Sequence, residues 1–326
     1  MTPELDEQLI ETNNDLVYGL TASPSLPKPG AACFAARGTG LYRSDDGGKT
    51  WNNLFHTLFA GQTSVATAVA TSPDFEHDRT VFAGMRGGVL RSTDGGLTWR
   101  ASIYPPPEPT VVALAVSPNF AEDDMAFAGT AEDGVFFSSD GGVNWTAWNF
   151  GLLDMNILCL AISPSFSKDE ILFAGTTTGL FVSNNGGRAW REVALPVDMP
   201  AIISLAISPN YASDRIIYVG TEENGLLRSS WGVARAGLRW EALGSGSLTY
   251  PINGILLDLA FPESTEVLVL HGSQLLFSRD RGNTFQKWAR PELQDPFDAT
   301  AAAAPRGFGP DAPVLVGGGG GVVLVV

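Results

Sequence analysis

A phrase of eight residues recurs along this chain, and its spacing restricts the fold more than any other feature. It reads SDDGGKTW from Ser44, STDGGLTW from Ser92, SSDGGVNW from Ser138, SNNGGRAW from Ser183 and SRDRGNTF from Ser278. A degraded copy, SSWGVARAGLRW, starts at Ser229 and carries a four-residue insertion. Successive serines are 48, 46, 45, 46 and 49 residues apart. A second frame keeps the same period: SPDFEHDRTVFAG from Ser72, SPNFAEDDMAFAG from Ser117, SPSFSKDEILFAG from Ser163 and SPNYASDRIIYVG from Ser208. It fades at Ser23-Pro24 and Phe261-Pro262, and its spacing returns at Phe308, Asp311, Leu315 and Gly317.

A repeat of this length is one supersecondary unit, which buries its apolar face only against its neighbours. The third copy reads as four short strands: VVALAVS (A), MAFAGT (B), GVFFSS (C) and NWTAWN (D), with turn residues between them. No helical periodicity interrupts them. Such four-strand units match the blades of a β-propeller. The predicted fold is therefore all-β: one seven-bladed β-propeller domain over residues 1–326, with four antiparallel strands per blade. The expected blades cover residues 15–55, 62–103, 110–150, 156–195, 201–243, 254–289 and 297–326. The last copy has no strand D, and a bare sheet edge invites aggregation. An N-terminal strand within residues 4–14 is expected to complete the last blade and close the ring. A short N-terminal helix, with Leu5 and Leu9 on one face, is the competing expectation.

The repeated phrase falls between strands C and D. Its Asp or Asn suits a side-chain acceptor for backbone N–H groups in a tight turn. Its glycines supply conformations that other residues resist, and its Trp buries a large face. Repetition around a ring assigns Asp46, Asp94, Asp140, Asn185 and Asp280 to folding rather than to chemistry. The phrase resembles the Asp-box (BNR) repeat, S-x-D-x-G-x-T-W, of sialidase-like propellers. The match is complete at Ser44 and Ser92, and Asn144 replaces Thr in the third box. The fourth has Asn185 and Ala189, and the sixth ends in Phe285. The resemblance implies a place near the seven-bladed group that includes photosystem II assembly factors and xyloglucan-active enzymes.

Charge narrows the partners. With 35 acidic and 20 basic residues the formal net charge is −15, which repels nucleic acid phosphates and anionic lipid surfaces. No apolar run has the length of a membrane helix. The acidic start, MTPELDEQLIETNNDL, has no signal-peptide pattern, so a cytoplasmic protein is expected. Cys33 and Cys159 sit in apolar runs and read as buried thiols. The three histidines have no metal-ligand spacing, and no GxSxG, HExxH, P-loop or CxxC occurs. No catalytic residue, cofactor or metal is predicted. A sialidase-like site would need three clustered arginines, and the loops that vary offer only Arg37, Arg86 and Arg290. The run Gly317 to Gly321 reads as a tight B–C link.

In a four-stranded blade the A–B and C–D turns share one face, and the B–C and D–A connections share the other. The first set is monotonous here and the second varies, and variable loops on a rigid scaffold are where function concentrates. The D–A connections carry Phe55, Tyr104, Trp148, Phe150, Tyr250 and Trp288, and the B–C loops carry Glu132, Asp133, Glu222 and Glu223. Apolar anchors rimmed by charge predict a non-enzymatic protein-interaction scaffold, its partner another protein, and a basic one. The opposing expectation is that these aromatics seal the seams between blades. The alternative function is a carbohydrate-active enzyme (glycosidase or sialidase-like) or a glycan-binding lectin. Inward carboxylates about 5–10 Å apart beside exposed aromatics would mark that chemistry.

Overall fold

The computed structural model describes residues 15–28, 31–59, 64–105, 109–230, 239–244, 246–293, 296–309 and 312–326. Six sheets have four strands each and a seventh has three, all paired in sequence order. The third blade sets the pattern, with strands A to D at Val111–Val116, Ala126–Thr130, Val135–Ser138 and Thr146–Ala147. The seventh has Ala299–Ala303, Leu315–Gly318 and Val323–Val325. Its expected fourth strand, within residues 4–14, lies outside the described residues, as does the expected position of Asp311. Gly319–Gly321 form the short turn between its strands B and C.

The A strands face one another around the axis, each against the next, and the seventh strand A packs on the first (Val17–Ala22). Every A strand has a β-bulge at its second residue, as between Val17 and Gly19 or Ile202 and Ser204. The bulge frees the carbonyl of the first residue, and the preceding blade supplies its donor. Thr67 donates to the Val111 carbonyl, Ser204 to that of Ile252, and Cys159 Sγ to that of Ile202 at 3.4 Å. Thr300 Oγ1 donates to Val17 O at 2.8 Å, which joins the last blade to the first across 283 residues. A second tie comes from Gly321, whose N–H donates to Asp15 O at 2.6 Å.

Apolar clusters fill the seams rather than the centre. Phe127 and Phe137 of blade 3 pack with Ile157, Leu172, Phe181 and Trp190 of blade 4, and equivalent clusters fill other seams. Both cysteines belong to this framework. Cys33 is fully buried, while Cys159 is half-buried on an inner strand. Burial pushes both thiols up to about 12.

Candidate interaction surface

Two hydrogen-bonding devices build one face of the disc. In the Ser-Pro frame the serine hydroxyl donates to the aspartate six residues on, at 2.6 Å for Ser117–Asp123 and 2.7 Å for Ser163–Asp169. The same aspartates accept the N–H two residues further, from Met125 at 2.9 Å and Ile171 at 3.1 Å. A helical turn between them ends in a left-handed residue, Arg79, Asp124, Glu170 or Arg215. The carbonyls of the first three accept N–H groups from the Asp boxes: Gly95 to Arg79 at 2.8 Å, Gly141 to Asp124 and Gly186 to Glu170 at 2.9 Å. The A–B and C–D turns are thus bonded together on one face.

The Asp boxes repeat one network. In the second, Asp94 Oδ1 accepts from Ser92 Oγ, Leu97 N and Thr98 N at 2.7, 3.0 and 2.9 Å, and Oδ2 accepts from Thr98 Oγ1 at 2.5 Å. Asp46, Asp140 and Asp280 accept equivalent bonds. Asn185 keeps only its Oδ1 acceptor, taking Ser183 Oγ and Ala189 N at 2.9 Å. The second glycine of each pair also marks a seam. A Cβ on Gly96 would lie 2.9 Å from Phe34 of the preceding blade, and one on Gly142 would lie 2.3 Å from Phe82. Trp99 Nε1 folds back on Gly96 O at 3.0 Å. For Asp46, hydrogen bonds from Thr50 and Ser44 hold the carboxyl well below the usual carboxylate range.

The opposite face carries the B–C and D–A segments, and it corrects part of the sequence reading. Phe55 is fully buried with Ala36, Leu41 and Ala83, and Trp288 is 6% exposed among Leu268, Phe277 and Phe308. Neither can anchor a partner. Both lie where D–A links cross a seam, and their apolar surface is used there. Tyr104 stacks on Trp145 with centroids 5.5 Å apart and covers Gly88, with its hydroxyl buried and unpartnered. Trp148 stacks on Phe137 at 3.8 Å. These two are seam residues with only an edge in water.

Phe150 and Tyr250 are different, at 81% and 64% exposed. Backbone contacts fix both. Phe150 O accepts Trp190 N–H from the next blade at 2.8 Å. Tyr250 N–H donates to His271 Nε2 at 2.8 Å, and the two rings meet edge to face at 5.3 Å. Burial lowers the pKa of His271, which favours the neutral acceptor form. Sequence reasoning gave His271 no role; the signal lay in its place at the end of a strand B beside a D–A link. Leu153 and Met199 were not singled out either, and they are 79% and 72% exposed. Together these four side chains occupy three successive D–A links, from blade 3 to blade 6. Glu132, Glu222 and Glu223 are exposed on B–C loops of the same face, and Asp133 is half-buried. A cleft of about 290 Å³ lies beside Trp288, lined also by Gln274, Arg290, Leu293 and Phe297.

Some other polar residues of this face are consumed by the scaffold. Asp154 is 8% exposed and accepts from Asn156, Thr177 and Thr178. Burial opposes its ionisation, but those bonds outweigh burial and hold the carboxyl well below the usual range. Arg37 pairs with the buried Asp15 and lies over the Tyr42 ring at 3.8 Å. Arg290 lies over Trp288 at 4.7 Å. Two of the three arginines considered for a sialidase-like carboxylate site, Arg37 and Arg290, are thus engaged apart from one another. Between the inner strands a cavity of about 290 Å³ is lined by residues that include Tyr18, Ser204, Asn253, Ile255, Thr300 and Ala301, with no Asp or Glu among its described lining residues. Among the described residues, no group of three or more His, Cys, Asp or Glu is placed to hold a metal ion, and no helix is long and apolar enough to cross a membrane.

Fold and boxes together define a seven-bladed β-propeller with Asp-box repeats. The BNR/Asp-box repeat family matches residues 42–53, the first box and its flanks. No curated protein sequence matches the chain. Among solved structures, YCF48 from Cyanidioschyzon merolae is 18% identical, with a TM-score of 0.68 over 95% of both chains. A structure described as YCF48 bound to D1 peptide is 16% identical, with a TM-score of 0.66 over 96% of this chain and 93% of that one. An ancestral GH74 enzyme is 19% identical at a TM-score of 0.67, over 93% of this chain and 43% of its own. The extracellular domain of a one component system from B. thetaiotaomicron is 15% identical at 0.67, and this chain spans 38% of its length. At these identities the likeness is one of fold.

Proposed function

We propose that this chain is a protein-interaction module whose binding surface is the D–A and B–C face of blades 3 to 6. The observation that carries this reading is the set Phe150, Leu153, Met199 and Tyr250, large apolar side chains exposed on successive links of a rigid ring. Exposed apolar groups of this size gain most from burial against a partner. Glu132, Asp133, Glu222 and Glu223 form no ion pair among the described residues. They suit a partner with basic residues flanking an apolar segment. The propeller described as bound to D1 peptide supports the reading, since it has the same architecture and holds a peptide. The carbohydrate reading rests on the fold likeness to the GH74 enzyme, and the described lining of the axial cavity holds no carboxylate pair to support it.

The test uses a partner captured from the native host. Phe150→Ala and Tyr250→Ala should each weaken its binding by about tenfold or more, while the melting temperature stays that of the parent. Unchanged affinity in both variants would overturn the proposal, as would saturable binding and hydrolysis of a glycan by the purified chain.

A further inference from the structure

Besides ending in Phe285, the sixth Asp box departs from its pattern at the first glycine. Boxes 1 to 4 begin the glycine pair with Gly47, Gly95, Gly141 and Gly186, at φ 77°, 76°, 69° and 71°. Box 6 has Arg281 there, at φ 61°. A residue with a side chain is disfavoured in this left-handed region. Its presence sets a guanidinium in the seam between blades 5 and 6.

The blade 2–3 seam shows what is usual at that corner. A Cβ built on Gly141 would lie 3.3 Å from Arg91 Nη2 and 3.4 Å from Asp124 Oδ1, so one arginine faces one carboxylate. At the blade 5–6 seam Arg228 takes the place of Arg91, and Thr265 takes that of Asp124. Arg281 N–H donates to Thr265 O at 2.8 Å, as Gly141 N–H does to Asp124 O at 2.9 Å. The carboxylate is lost and further arginines are gained. A pocket of about 340 Å³ opens there, lined by Ile216, Arg228, Arg239, Glu241, Arg281 and Asn283. Arg228 Nη1 donates to Arg281 O at 2.7 Å and its other terminal nitrogen pairs with Glu241. Arg281 Nη2 donates to Pro262 O at 3.0 Å. The Arg239 guanidinium has no partner among the described residues. Among the described lining residues three cations face one carboxylate, an excess of two positive charges, within a chain of formal net charge −15.

We propose that this pocket binds a doubly charged oxyanion, a phosphate or sulfate group carried on a small ligand. Guanidinium groups match such oxygens in geometry and charge, and the like charges gathered here repel one another until an anion arrives. The pocket lies on the Asp-box side of the rim and is independent of the interaction surface proposed above.

Inorganic phosphate and inorganic sulfate would be titrated calorimetrically into the full chain at constant ionic strength, with chloride as the balancing anion. Saturable binding to one site is expected, and saturation by either anion or both supports the site and names the group. Arg239→Gln should weaken binding about tenfold. Arg281→Gly, which restores the glycine pair, should do the same. Arg91→Gln, at the matching frame position of another seam, should leave binding unchanged. Melting curves in phosphate- and sulfate-free buffer confirm that the variants remain folded. Heat without saturation, or equal affinity in the parent and the folded Arg239→Gln variant, would refute the proposal.

Discussion

Truncating Asp94 asks whether an Asp box is scaffold or site. Its carboxylate takes four donors, two backbone N–H groups and two hydroxyls. Asp94→Ala leaves all four without that acceptor. The turn is partly exposed, so water replaces some of the loss, and the net cost is about 1–3 kcal/mol. Unfolding entropy scales with length to roughly 0.7 kcal/mol/K for a chain this long, so the midpoint should fall by roughly 1.5–4 °C. The fourth box supplies an internal comparison. Asn185 holds its turn through Oδ1 alone, opposite Ala189, which has no hydroxyl. Asp94→Asn should therefore keep the Oδ1 bonds and cost less than Asp94→Ala. Acid separates the two forms further. Burial raises the pKa of Asp94, but hydrogen bonds from Thr98, Ser92 and Leu97 outweigh it and hold the value at about 2, against 3.8. On acidification the unfolded chain takes up this proton first. The contribution is complete above about pH 4 and is lost as pH falls towards about 2. The deficit of Asp94→Asn relative to the parent should shrink across that window. Thermal melts followed by near-UV circular dichroism at a series of pH values measure both effects. A parent-like midpoint for Asp94→Ala, together with lost partner binding, would move the box from scaffold to site.

Four further outcomes follow from the same geometry. Thr300→Val removes the side-chain bond from the last blade to the first and should cost about 1 kcal/mol in thermal unfolding. Trp288→Ala empties a packed seam and should cost about 3–5 kcal/mol, whereas Tyr250→Ala should stay within about 0.5 kcal/mol; chemical denaturation distinguishes them. Cys33 and Cys159, with thiols pushed up to about 12, should ignore a disulfide reagent at pH 8 until denaturant is added, as read by absorbance. His271 is held neutral by burial, so stability should decline as pH falls below its ordinary value of 6.5, and His271→Gln should flatten that slope in melts.

The ring was legible because its signals are local. Each box fits in eight residues, each Ser-Pro frame in thirteen, and their period counts the blades. The surface was less legible because its contacts are not local. Phe55 and Phe150 both stand in apolar D–A links, yet one is wholly buried and the other 81% exposed. Phe55 sits in the short helix Leu54–Leu58 and packs on Ala36, Leu41 and Ala83, whereas Phe150 is tied to the next blade through its carbonyl, which accepts from Trp190 N–H. Asp154 reads as a loop carboxylate until Thr177 and Thr178, in the B–C turn of the next blade, fold onto it. Arg37 reads as a loop arginine until Asp15, 22 residues earlier, takes its charge. Tyr104 reads as an anchor until Gly88 makes room beneath its ring. In each case the deciding partner lies beyond the span of a local motif.

The most direct test of the interaction surface is amide hydrogen exchange of the chain with and without its captured partner. Protection is expected on the D–A links around Phe150, Met199 and Tyr250 and on the B–C loops holding Glu132 and Glu223. The Asp-box turns, including exposed Leu97, should exchange at the same rate in both states. Protection confined to the Asp-box turns, with the D–A links unchanged, would contradict the assignment of the binding face.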